Sequence, residues 1–118
     1  MAENNGNGRM KFDGTPVFMG GQDWVVPSLS TVQAKTYWPK MVEMDEGVTV
    51  ENFPEKRWVG VEIIHAAMSR NYPALTIDEV GEMVDLMNFR RLILIVSGQP
   101  NAVPAPGPVP VAASQSVK

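Results

Sequence analysis

Ten prolines divide this chain into a part that can fold and a part that cannot. Pro100, Pro104, Pro106, Pro108 and Pro110 all fall between Gln99 and Lys118, with Ala, Val and Ser between them. Proline has no amide hydrogen to give a helix or a central strand, and at a spacing of two it favours extended, unbonded backbone. Residues 99–118 are therefore expected to form a Pro/Ala-rich tail or linker. Such a tail can serve as a ligand for an aromatic groove, but no basic anchor accompanies these prolines, so a plain linker is the expectation. At the other end, residues 1–15 hold Gly6, Gly8 and Gly14 among Asn and charged side chains, too little apolar surface to offset the entropy of ordering. That reads as a flexible N-terminal arm. Residues 16–98 remain as the folding unit, and the other five prolines punctuate it.

The chain has 118 residues, with 10 basic and 13 acidic side chains and a net charge of −3. One small domain fits that length and a two-domain enzyme does not. The charge is concentrated in the middle, where residues 16–98 carry seven basic against eleven acidic side chains. The longest undiluted apolar run is Leu92 to Val96, far short of the roughly 18 residues that cross a bilayer, so no membrane association is expected. The polar start, Met1 to Lys11, lacks the charged-then-apolar layout of a secretory signal, and a cytoplasmic location is the expectation. With no cysteine and one histidine, His65, the chain has no disulfide framework, no thiolate site and little supply for metal or acid–base chemistry.

Pro16-Val-Phe-Met-Gly-Gly-Gln-Asp-Trp-Val-Val-Pro27 is two short β-prone runs around Gly20-Gly21, the signal of a two-stranded hairpin. Ser28 is expected to cap a first helix through Leu29, Val32, Tyr37, Met41 and Met44, kinked or restarted near Pro39. Val48 to Phe53 reads as a short extended connector. Pro54 and Glu55 then suit the first turn of a second helix, in which Val59, Ile63, Ala66 and Ala67 form one stripe. Trp58, Val61, Ile64 and Met68 widen it, so more than one face should be buried. Asn71-Tyr72-Pro73 ends that helix. Thr76-Ile-Asp-Glu79 is a capping box for a third, running to about Asp85 with Ile77, Val80, Val84 and Met87 at helical spacing. Asn88 can cap a fourth helix bearing Phe89, Leu92, Ile93 and Val96, which Ser97-Gly98 terminates. The fold class is mainly α, a small bundle of about four helices with an N-terminal two-stranded β-hairpin.

Catalytic constellations are absent from this pattern. Glu62-x-x-His65 has di-iron spacing, but such a site needs a second copy and further carboxylates, which one histidine cannot complete. Asp78, Glu79, Glu82 and Asp85 lie early in a helix, where negative charge is favourable, without the spacing of a calcium loop. Gly20-Gly21 leads into no helix and no lysine, so a phosphate loop is unsupported. Ser28, Ser30, Ser69 and Ser97 have no placed base. The third and fourth helices could be mistaken for a DNA-reading pair, yet only Arg90 and Arg91 lie in the would-be recognition helix of an acidic domain. No catalytic residue, metal, cofactor or nucleic-acid partner is therefore expected.

Eight methionines are the unusual feature, with Met41 and Met44 at i, i+3 and Met83 and Met87 at i, i+4. Methionine fills irregular core gaps, and it also repacks against varied apolar partners. Trp24, Trp38 and Trp58 pose the same choice between core and interface anchor.

The order of signals also carries a resemblance. A Gly-turn ribbon, a proline, an amphipathic helix and then Val61 through Phe89, with Asn71-Tyr-Pro-Ala-Leu-Thr-Ile-Asp-Glu-Val80 and Val84-Asp-Leu-Met-Asn88 as its most telling pieces, precede a last helix ending at Gly98. Over Val17 to Gly98 the chain resembles the tail assembly chaperones of long-tailed bacteriophages, short proteins encoded just ahead of the tape measure protein. It departs at Gly81, where the family commonly has a charged residue, and at Met87, where a small residue is frequent. The resemblance implies a non-enzymatic chaperone that coats the tape measure protein, keeps it soluble and helps recruit tail tube protein. It further implies work in the host cytoplasm during assembly and absence from the mature virion. The family often makes a longer product by ribosomal frameshifting, and the Pro/Ala tail is the sort of linker that would join the two parts. Self-association is a further expectation. Met41, Met44, Met83, Met87 and Phe89 are the candidate partner contacts. The competing class is a structural tail or head-completion protein retained in the virion.

Overall fold

A hairpin leads and four helices follow in the computed structural model, which describes residues 11–99. The elements are β1 (Thr15–Met19), β2 (Gln22–Val26), α1 (Thr31–Asp45), α2 (Phe53–Met68), α3 (Ile77–Met83) and α4 (Phe89–Val96). The fold is mainly α with a small antiparallel hairpin, as the sequence pattern implies. Residues 1–10 of the expected arm and residues 100–118 of the expected tail lie outside the described residues. α2 is the hub, packing against α1, α3, α4 and β2. Its wide apolar surface is used on more than one side, with Val61, Ile63, Ile64, Ala67 and Met68 all buried. Each of the larger ones, Val61, Ile63, Ile64 and Met68, contributes roughly 1.5–3 kcal/mol. No helix among the described residues is long and apolar enough to cross a membrane.

The hairpin turns at Gly20 and Gly21, both with positive φ, which a two-residue turn between right-twisted strands requires. Its alternation is regular. Val17, Met19, Trp24 and Val26 face the core, while Phe18 and Asp23 face solvent. Two open strand edges would invite pairing with another chain, and both are blunted. On β1, Pro16 has no amide hydrogen to offer. Along β2, the Val25 amide donates to the Tyr72 hydroxyl at 2.7 Å and its carbonyl accepts from Asn71 Nδ2 at 3.2 Å. Asn71 also accepts from the Phe12 amide and donates to the Phe12 carbonyl, so the domain starts earlier than Pro16 and holds part of the segment expected to be a free arm. Arg70 stacks its guanidinium 4.0 Å from the Phe12 ring centre and donates to the Ser28 carbonyl. Trp24 completes the seal, meeting Tyr72 edge to face at 4.8 Å and donating its indole N–H to the Met19 carbonyl.

Several local expectations are corrected. Ser30, rather than Ser28, caps α1, because Gln33 returns the bond to the Ser30 amide and forms a capping box. Gln33 also donates to the Ala66 carbonyl of α2. α1 continues through Pro39 without restarting. Pro39 lies on the exposed side, so water can satisfy the carbonyl one turn earlier. Val32 is 75% exposed and falls off the buried face. Residues 46–52 form a knitted turn instead of an extended connector: Thr49 and Asn52 exchange side-chain-to-backbone bonds, and Asn52 donates to the Gly47 carbonyl.

α3 is shorter than expected and stops at Met83, with Val84 already extended. Asp85 and Asn88 end it. The Asp85 carboxylate accepts from the Met87 and Asn88 amides, and the Asn88 side chain accepts from the Asp85 amide and donates to the Met83 carbonyl. Such local bonds compete with helical ones. Asn88 thus holds the turn and makes no side-chain cap bond into α4. α4 ends as expected: Gly98 adopts φ +85, and the Gly98 and Gln99 amides donate back to the Ile95 and Leu94 carbonyls.

Candidate functional site

His65 and Glu79 are bonded into the scaffold. His65 Nε2 lies 2.9 Å from the Leu75 carbonyl oxygen and 3.3 Å from Ser69 Oγ, while Ser69 Oγ donates to the His65 carbonyl. The Leu75 carbonyl can only accept, so the bond at 2.9 Å requires the hydrogen on Nε2. Glu79 accepts from the Thr76 amide and hydroxyl, which hold its carboxyl below the usual glutamate range. Among the described residues, no group of three or more His, Asp or Glu could hold a metal ion.

The five candidate contacts separate into two environments. Met41, Met44 and Phe89 are buried, where they join α1, α2 and α4 in one core. Phe89 lies over Gly60 so closely that a Cβ there would overlap the ring. Met83 is half-buried, and its side chain covers the hairpin turn, 2.6 Å from where a Cβ on Gly20 would sit. Met87 differs from the other four. It is 92% exposed, beside Leu86 at 71%, on the turn that Asp85 and Asn88 lock. Of the tryptophans, Trp24 is buried, whereas Trp38 and Trp58 keep about half their surface in solvent. Gly81 makes room for Trp58, whose Cζ3 would lie 2.8 Å from a Cβ there, which accounts for glycine in that helix.

Beside the locked turn, α4 faces the end of α1 and the start of α2 across an open cleft of about 390 Å³. Its apolar walls are Met44, Val48, Phe53, Phe89, Ile93 and Leu94, and its polar rim is Asp45, Lys56, Arg57 and Arg90. Arg57 is held between two rings, 4.8 Å from the centre of Phe53 and 4.2 Å from that of Phe89. Such stacking fixes a guanidinium while leaving its N–H edge available. Lys56 is fixed differently, donating to the Glu43 carbonyl at the end of α1, where a cation complements the helix dipole. A second depression of about 630 Å³ shares Val48 and Phe53 and adds Thr49, Val50 and Pro54, so the apolar trough continues along the connector.

Sequence reasoning missed Val48, Phe53, Arg57, Arg90 and Leu86. Phe53 and Arg57 stand at i, i+4, a spacing at which an aromatic and a cation meet on a helix, and Asp85-Leu-Met-Asn88 has polar residues able to fix a turn. Val48 and Val50 carried no periodic signal. No family model, curated protein or solved structure matches this chain.

Proposed function

We propose that this chain is a non-enzymatic assembly chaperone of the phage-tail type, which binds the tape measure protein, keeps it soluble and helps bring in tail tube subunits. One observation carries the reading. Leu86 and Met87 are displayed to solvent on a turn fixed by four side-chain hydrogen bonds, which leads directly into Phe89 and Arg90 of an apolar cleft. A rigid turn that keeps two large apolar side chains out of the core loses burial energy, unless a partner covers them. Methionine there suits a partner that presents many similar but non-identical apolar stretches. The segment that carries the resemblance works as scaffold: Asn71 and Tyr72 clamp the hairpin, Thr76 and Glu79 start α3, and Asp85 and Asn88 build the turn. A likeness in those residues supports a shared frame, and Leu86 and Met87, within the same segment, are the residues that the frame leaves exposed.

Co-expression with the large helical protein encoded just downstream tests this. Solubilisation and co-purification of that protein with the full chain is the expected result. If its solubility is unchanged and nothing travels with it, the reading fails and a structural subunit takes its place. Mass spectrometry of purified particles would then find this chain at fixed copy number, whereas a chaperone is nearly absent from them.

A further inference from the structure

We infer that the cleft between α4 and the α1–α2 connector binds an amphipathic helix of another protein whose apolar face is flanked by carboxylates. This rests on the chaperone reading for its biological partner and on the cleft alone for its chemistry. Three observations select that occupant. The first is charge. Residues 16–98 carry seven basic side chains against eleven acidic ones, yet the cleft rim gathers Lys56, Arg57 and Arg90 with Asp45 as its only carboxylate among the described residues. A cationic spot on an acidic domain attracts acidic segments, which its surroundings repel, and repels basic ones. The second is preorganisation. Arg57 is pinned by two rings, so pairing with a carboxylate costs little side-chain entropy.

The third is shape. The trough runs on from the cleft past Val48 and Phe53 to Val50 and Pro54, and Val50 is 88% exposed. Its walls are side chains of helices and a knitted turn, with no open strand edge to extend. That excludes strand addition and fits apolar side chains at helical spacing. A duplex or single strand of nucleic acid would need a longer basic track than three cations on a chain of net charge −3.

The test uses the full chain and two labelled helical peptides, identical in their leucine face, one flanked by glutamates and the other by lysines. Anisotropy at low salt reads both affinities. The glutamate peptide should bind roughly tenfold tighter or more, a preference that added salt reduces. Amide shifts on its addition should gather at Val48, Phe53, Ile93 and Leu94. Arg90→Glu, at an exposed position, should remove most of the preference; Arg57→Gln should do the same, with circular dichroism checking that its loss from between the rings leaves the fold intact. Equal binding of the two peptides, no binding of either, shifts elsewhere, or a preference that survives Arg90→Glu overturns the inference. The two readings fail separately. If the glutamate peptide seats in the cleft but the downstream helical protein stays insoluble, the chaperone reading falls and the cleft stands. If Arg90→Glu solubilises that protein as well as the native chain does, the cleft assignment falls and the chaperone reading stands.

Discussion

The two ends of α2 treat exposed apolar and polar groups in opposite ways. At its C-terminal end, Asn71 and Tyr72 cover the outer edge of β2, Trp24 donates to a carbonyl and packs on Tyr72, and Phe12 is folded under Arg70. Backbone groups and apolar rings are spent on one another. Toward its N-terminal end, Val48 and Val50 remain in solvent along a cleft with a cationic rim, and Leu86 and Met87 stay exposed on the turn that leads into Phe89 and Arg90 of that cleft. The difference teaches where to look for a partner. The sealed end holds the fold, and the other end keeps fixed apolar side chains uncovered.

Asn71→Ala should break the sealed end most severely. It removes one acceptor and two donor bonds that tie Phe12 and Val25 to α2, and should cost about 2–3 kcal/mol in urea unfolding, with hairpin amides losing exchange protection first. Gly60→Ala probes the middle of the same helix. The added methyl would overlap Phe89, so despite better helix propensity the variant should lose about 1–2 kcal/mol. A loss in thermal midpoint measures it. Met83→Ser and Met87→Ser sharpen the comparison within one turn. The first uncovers Gly20 and should cost about 1–2 kcal/mol; the second should stay within about 0.5 kcal/mol and instead weaken partner binding. If Met87→Ser destabilises as much as Met83→Ser, the exposed turn is part of the core and the contrast collapses.

The smallest effect concerns acid. Glu79 is fully exposed, and bonds from the Thr76 amide and then its hydroxyl lower its pKa. A carboxyl with a lower pKa when folded contributes stability above its unfolded pKa and loses it as pH falls through the folded one. Native protein should therefore lose its small advantage over Glu79→Gln as pH drops below the ordinary glutamate range, measured by paired urea titrations. An advantage that is constant with pH would assign the capping box to geometry alone.

Much of the frame is legible along the chain because its causes lie within a few residues. Gly20-Gly21, Pro54, Thr76 with Glu79, and Gly98 each act on backbone three or four positions away, and the elements they mark are present. Errors arose where two local signals competed. Ser28 and Ser30 are both cap residues, and Gln33 decides between them by answering Ser30 and reaching Ala66. Helical spacing carries Val84 and Met87 onto the stripe of α3, but Asp85 and Asn88 divert the backbone before either is reached. The candidate contacts were less legible. Met41, Met44, Met83 and Met87 have the same side chain, and only their neighbours from other elements separate them.

The sequence by itself determined the element types, their order and most of their ends, since capping bonds, proline and glycine act locally. It also determined the acidic charge. Only the tertiary structure decided which apolar residues are covered. Phe89 is buried because Gly60, far off in sequence, leaves space for its ring, and Met87 is exposed because a four-bond turn holds it away from every helix. The cleft is likewise a product of assembly: Phe53 and Arg57 meet within α2, but the second ring on Arg57, Phe89, is in place only when α2 and α4 pack. Burial sums contributions from distant segments, so no window of sequence contains it.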